Sequence, residues 1–249
     1  MTRHSAGIQF DLSDISIEMI NPTLAPEREL EITDDLIEMQ QYIRQRAEAY
    51  RLQPADTLLS KLVHVELDGE RLNPRELISI MHQLLVAGNE TTTNAIGTGI
   101  WMLLEHQEVR AQLETEPTLM ANFVEEVLRL HAPSPHLYRQ VLADTEIGGV
   151  PIAKNSVLIL SYLAANHDEH KFSCPEDIDL KRPNARQHMA FGRGIHFCIG
   201  NQLARAEMRV AFARLLARLP RLALDPEQPL PRFATIYHTR GLENLHTVF

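Results

Sequence analysis

No proline interrupts the chain between Pro74 and Pro117, and much of that interval is apolar on almost every side. Its beginning reads Asn73-Pro74-Arg75-Glu76. Asn is placed to cap a helix, Pro to occupy the first helical position, and Glu to close a capping box. A helix from Pro74 to about Glu105 would be about 48 Å long at 1.5 Å per residue, which is the span of a whole domain. Leu77, Ile80, Leu84, Leu85, Val86, Ile96, Ile100, Leu103 and Leu104 fall on nearly all of its faces. A helix apolar all round must be covered all round, so residues 73–105 are expected to form a central helix that the rest of the chain surrounds.

The flanking texture is mainly helical. Residues 1 to about 32 are weakly patterned, and Pro22 and Pro26 break a long helix there. Thr33 reads as an N-cap, with Asp34 and Asp35 in the first turn. Leu36, Met39, Ile43, Ala47 and Tyr50 follow at helical spacing, and Pro54 stands beyond the end. A short helix over Thr57–Glu66 leads to a turn at Asp68-Gly69, so residues 34–72 should supply helices before the central one. Another helix is expected over 117–132, ended by Pro133. Short strands then follow over Tyr138–Leu142, Glu146–Ile147 and Val157–Leu160, a small β-region at 138–160. Residues 166–197 are irregular, and a helix runs from about Ile199 to Leu219, so residues 185–219 hold a loop and the helix after it. The fold class is mainly α with a small β-region. An irregular stretch of that length belongs in a compact domain only when it is functional.

Charge and cysteine content exclude several classes. The net charge is −9 without a dense Lys/Arg run, which makes the chain a poor nucleic-acid ligand. No apolar run approaches the roughly 18 residues of a membrane span. The opening residues M-T-R-H-S-A-G-I-Q-F-D lack the apolar segment of a secretory signal. Two cysteines, Cys174 and Cys198, are too few for a disulfide scaffold. A cytoplasmic protein without membrane or nucleic-acid partners is expected.

The irregular stretch ends in Phe191–Gly200, F-G-R-G-I-H-F-C-I-G. Its glycines allow sharp turning and close approach to a flat ligand. Cys198 stands just ahead of a helix, whose N-terminal N–H groups and dipole attract negative charge. A lone buried Cys is more often inert packing. A zinc site using His196 and Cys198 would need two more ligands at recognisable spacing, which Cys174 alone does not supply. The string as a whole resembles the cysteine-ligand loop of cytochrome P-450, F-G-x-G-x-H-x-C-x-G, at every defined position. The resemblance implies haem b, with Cys198 as the axial thiolate to iron, His196 on a haem propionate, and Phe191 packed on the loop.

Other segments agree in order. Ala87–Thr92, A-G-N-E-T-T, puts Gly88 on a thinned helix face and Glu90 and Thr91 among apolar neighbours, where polar groups need a reason. Such a run can merely back-bond and bend the helix. It is also similar to the family's oxygen-activating motif, in which Ala87 and Gly88 approach the haem and Glu90 and Thr91 relay protons to dioxygen. Glu126 and Arg129, E-V-L-R, have the spacing of a solvated helix pair of little energetic weight. By resemblance they are the family's E-x-x-R, completed by Arg182 in a bidentate network. Arg139 matches a propionate-binding Arg. Gln83, Val86 and Leu137 match substrate-pocket positions. His167 in A-N-H-D departs from a usual Arg, and Ile178 from a usual Phe.

The resemblance runs from about Leu36 to Phe249. Complete members carry a long segment before the central helix, whereas 72 residues precede Asn73 here, so the N-terminal part of the fold is expected to be missing. The function implied is that of a haem-thiolate monooxygenase. It would insert one oxygen atom of O2 into a small organic substrate with electrons from a ferredoxin or flavodoxin-type donor. The alternative is a truncated, non-catalytic haem-binding remnant.

Overall fold

A computed structural model describes residues 16, 18, 24–234 and 238–249. Most of the weakly patterned leader lies outside the described residues. The chain divides into two compact units, residues 1–90 and 91–249.

In the first unit, α1 spans Pro26–Leu52, α2 spans Leu58–His64, and a two-residue hairpin pairs β1 (Glu66–Leu67) with β2 (Glu70–Arg71). The α1 start corrects the expectation of a cap at Thr33. Pro26 opens the helix, with Glu27 and Glu29 in its first turn. At that position the missing N–H costs nothing, because the first N–H groups of a helix have no partner anyway. Thr33 lies inside the helix, and its hydroxyl donates to the Glu29 carbonyl at 2.7 Å. Ile32, Met39, Ile43 and Ala47 are buried on one stripe. Ala47, Val63 and Leu77 form a small core with Leu59, Leu62 and Leu72 packed on it.

The long helix α3 runs Pro74–Glu105, 32 residues, and passes from the first unit into the second without a break. Its start is the expected capping box. Asn73 Oδ1 accepts from the N–H groups of Arg75 (2.9 Å) and Glu76 (3.1 Å), and Glu76 Oε2 accepts from Asn73 N–H at 2.9 Å.

The second unit continues from Thr91 with α4 (Gln107–Thr115), a 3-10 turn (Pro117–Leu119) and α5 (Met120–Leu130). Then β3 (His136–Gln140) pairs antiparallel with β6 (Val157–Ser161), and between them lies the hairpin of β4 (Thr145–Ile147) and β5 (Val150–Ile152). Its turn residues Gly148 (φ 57°) and Gly149 (φ 81°) both take the left-handed conformation that glycine tolerates. A short α6 (Tyr162–Asn166) opens the irregular stretch, which closes on α7 (Asn201–Arg218); β7 (Ala223–Leu224) pairs with β8 (Thr247–Val248). The first helical residue of α7 is Asn201, not Ile199, because Gly200 is the N-cap.

The core of this unit joins α3, α4, α5 and α7. Leu103, Phe123, Val124, Val127, Met208 and Phe212 are sealed from solvent. Phe123 and Phe212 meet edge to face with centroids 5.2 Å apart, a geometry that adds to their burial. Gly99 lets Phe212 lie directly on α3, since a Cβ there would overlap the ring. Among the described residues the sheets are all two-stranded and the remainder is dominated by helix. No described helix is long and apolar enough to cross a membrane.

Candidate functional site

Gly192 (φ 67°) and Gly194 (φ 73°) turn the Phe191–Gly200 loop through two left-handed positions. The turn brings Cys198 back to its start, so that Cys198 N–H donates to the Phe191 carbonyl at 3.0 Å. Inside the loop, Phe197 N–H donates to Gly194 O at 3.0 Å across the short 3-10 turn Gly194–His196. Cys198 is half-buried, whereas Ile195 and Ile199 are 97% and 89% exposed and Phe197 is also exposed. Phe191 turns inward, against the core. The Arg205 guanidinium lies over its ring at 4.5 Å and the His188 ring centroid is 5.7 Å away. The loop thus presents one thiol flanked by apolar side chains. Among the described residues no three His, Cys, Asp or Glu side chains converge as metal ligands. Cys174 is exposed, and its carbonyl accepts from Arg182.

The E-x-x-R pair is not solvated. The Glu126 and Arg129 side chains are both 0% exposed and Arg182 is 2% exposed. Arg129 Nε and Nη2 reach the two Glu126 oxygens at 2.8 and 2.9 Å, a bidentate fork. Arg182 Nε adds 3.1 Å to Oε1, and the Asp179 N–H adds 3.0 Å to Oε2. The remaining guanidinium hydrogens go to backbone carbonyls. Arg129 serves Asn166, Pro175 and Asp177, and Arg182 serves Ser173, Cys174 and Asp177. Two cations and one anion thereby staple the irregular stretch onto α5, and every strong donor has an acceptor, as buried charge demands.

The other candidates are spread along α3 and β3. Gln83, Ala87 and Gly88 are exposed and Val86 is half-buried. Glu90 and Thr91, both half-buried, are successive residues of α3 at the division between the units. Leu137 and Arg139 are two apart on β3 and so share a face. Arg139 Nη1 donates to the Tyr138 carbonyl at 2.8 Å. His196 is exposed on the 3-10 turn. The described hydrogen bonds and ion pairs join neither Arg139 nor His196 to Cys198.

A second buried network has no counterpart in the motif reading. Glu125, next to Glu126, points to the other side of α5. It accepts from Arg205 Nε at 2.7 Å and Nη2 at 3.0 Å. His188 Nε2 lies 3.1 Å from it. Ala190 N–H donates to His188 Nδ1 at 3.1 Å, so the His188 proton sits on Nε2 and faces the carboxylate. Burial by itself would raise the Glu125 carboxyl. The hydrogen bonds from His188 and Arg205, with Arg205's charge, outweigh it and hold the group down at about 2. The doublet Glu125-Glu126 was the available signal: adjacent helical residues point about 100° apart, so the two carboxylates can serve separate partners.

A model of the cytochrome P450 family matches residues 27–238. The chain belongs to the cytochrome P450 family. Among related proteins, the steroid C26-monooxygenase of Mycobacterium tuberculosis is 38% identical over 208 residues, 84% of this chain and 56% of that protein. The putative cytochrome P450 YjiB of Bacillus subtilis is 44% identical over 176 residues, 70% of this chain and 44% of that one. The crystal structure of CYP109E1 from Bacillus megaterium in complex with testosterone superposes with a TM-score of 0.88 at 31% identity, covering 96% of this chain and 64% of that one. This cytochrome P450 chain therefore spans about half the length of the curated relatives named here, and its helices and small sheets are those of the cytochrome P450 fold. The family's cofactor is a haem whose iron takes a cysteine thiolate. The loop suits such a group chemically: a single soft sulfur donor, with Ile195, Phe197 and Ile199 as apolar surface beside it.

Proposed function

We propose that this chain forms the haem-holding part of a monooxygenase. The enzyme would place one oxygen atom of O2 in a small organic substrate and release the other as water, drawing two electrons from a ferredoxin or flavodoxin-type donor. The observation that carries this is the Cys198 loop, in which two left-handed glycines and the Cys198–Phe191 backbone bond hold one half-buried thiol ahead of α7. Bound haem would supply the reduction of dioxygen and the oxygen transfer.

The chain's own residues divide the remaining work. Cys198 holds the iron, and His196 and Arg139 hold the propionates by charge-assisted hydrogen bonds. Phe191 packs behind the loop, and Ala87 and Gly88 leave room on α3 for a flat group to come close. The Glu90 carboxyl and the Thr91 hydroxyl hold and pass protons. Gln83, Val86 and Leu137 face the substrate. One similar protein is named for action on steroids and another was solved with testosterone bound, so steroids are the first substrate class to test. The supporting experiment is spectroscopic. The reduced, carbon monoxide-treated holoprotein is expected to show the long-wavelength absorption of thiolate ligation, and Cys198→His is expected to abolish it. Persistence of that band in the variant would show that another residue is the ligand.

A further inference from the structure

Cys198 is gripped at both ends of its backbone. Its N–H is bonded to the Phe191 carbonyl at 3.0 Å. Its carbonyl accepts from Asn201 Nδ2 at 2.7 Å. The two gripping residues have a common neighbour. Arg205 Nη1 donates to Asn201 Oδ1 at 2.8 Å, and the same guanidinium lies 4.5 Å over the Phe191 ring. Arg205 is in turn clamped through Nε and Nη2 by Glu125, a carboxylate 5% exposed and anchored on α5. Arg205 and Asn201 are four residues apart on α7, so one helix face delivers both.

We propose that Arg205, held by Glu125, is a positioning residue that fixes Cys198 through Asn201 and Phe191. The Glu126 network staples the irregular stretch to α5 well upstream of the thiol. The Glu125 network acts on the thiol-bearing residue itself and ties α5 to α7 through it. A guanidinium is required for geometric reasons. Its three nitrogens serve both Glu125 oxygens and Asn201 Oδ1 while its face stacks on a ring, and the single ammonium of lysine cannot reproduce this. Asn201 is equally specific, because it must accept from Arg205 on one atom and donate to Cys198 on the other.

The test reads the thiol directly, on the full chain before haem is added. Alkylation of Cys198 by iodoacetamide is followed by peptide mass spectrometry, with exposed Cys174 as internal reference. Asn201→Ala and Arg205→Lys are each expected to raise the Cys198 rate about five- to tenfold, the change in local opening that follows loss of one hydrogen bond to a charged or buried partner. The Cys174 rate should not move. Arg110→Lys is the control for general loosening. Arg110 is a buried arginine that binds the Pro220 and Leu222 carbonyls, at 2.6 and 2.8 Å, away from the loop. It should lower the melting temperature yet leave the Cys198 rate unchanged. Should Arg205→Lys not fold, Glu125→Asp, which keeps the buried counter-charge but draws the carboxylate back from Arg205, takes its place and is expected to raise the Cys198 rate likewise. A Cys198 rate within twofold of the parent, or an equal rise in Arg110→Lys, overturns the proposal. The inference rests on Cys198 being the functional thiol. Because the readout needs no haem, a missing thiolate band would remove the ligand assignment without touching this result.

Discussion

Replacing Glu126 with Gln removes one charge from a site where three charged groups share a few ångströms of dry space. Glu126 Oε1 accepts from Arg129 and Arg182, and Oε2 from Arg129 and the Asp179 N–H. Glutamine keeps the shape but turns one of those acceptors into an NH2 group that faces donors. Arg129, with 0% of its side chain exposed, is left without a counter-charge, as is Arg182. Breaking a buried ion pair from one side costs about 3–5 kcal/mol, a large part of the roughly 5–15 kcal/mol that stabilises a whole domain. At about 2–4 °C per kcal/mol for a chain of this size, the melting temperature should fall by roughly 6–20 °C. Calorimetry or thermal circular dichroism would read it. The comparison is Arg71→Ala, which breaks the Arg71–Glu66 pair whose side chains are 62% and 51% exposed, and exposed pairs are worth about 0–1 kcal/mol. If Glu126→Gln melts no lower than Arg71→Ala, burial is not what gives the E-x-x-R network its weight.

Stability should also depend on pH through His131. Burial is the main cause of its depression to about 4, with the Arg240 charge next. As pH falls below about 6.5 the unfolded chain takes up a proton that folded His131 refuses until about 4. Stability is therefore complete above that window and drops by up to about 3 kcal/mol across it. His131→Phe should flatten this part of a urea-melt series. It should not flatten it entirely, because His188 is also held below its ordinary value, by burial, despite the Glu125 bond. The Glu125 carboxylate contributes in a separate, lower window, about 4.5 down to 2, which His131→Phe should leave alone. Gly99→Ala forces a methyl group into the Phe212 ring and should cost about 1–3 kcal/mol. Phe212→Leu in the same chain should recover part of that loss, and strict additivity of the two melting shifts would contradict the contact. In an active holoprotein, Thr91→Ala should leave haem binding intact while diverting electrons to hydrogen peroxide. Unchanged coupling of electron use to product would remove Thr91 from the proton path.

Much of this protein was legible because its decisive signals are local. The α3 start lies in four residues, Asn73 to Glu76, whose cap bonds close within one turn, so no distant partner could revise it. The Cys198 loop was equally readable as a turn, since its motif lies in ten consecutive residues and Gly192 and Gly194 can take the left-handed positions the turn uses. Boundaries failed where two local signals competed: Pro26 and Thr33 can each begin a helix, and the earlier one wins because α1 continues through a threonine that bonds back to Glu29. What only the tertiary structure decided is burial and partnership. Spacing alone leaves Glu126 and Arg129 looking like a solvated helix pair; the resemblance named Arg182, 56 residues from Glu126, as their partner, and the structure decides that all three are buried. The Glu125–Arg205 clamp spans 80 residues, and the fit of Phe212 on Gly99 joins two helices that no periodicity relates. A sequence pattern reports which face of an element is apolar. It does not report what meets that face, and the cost of burying a charge is set by that meeting.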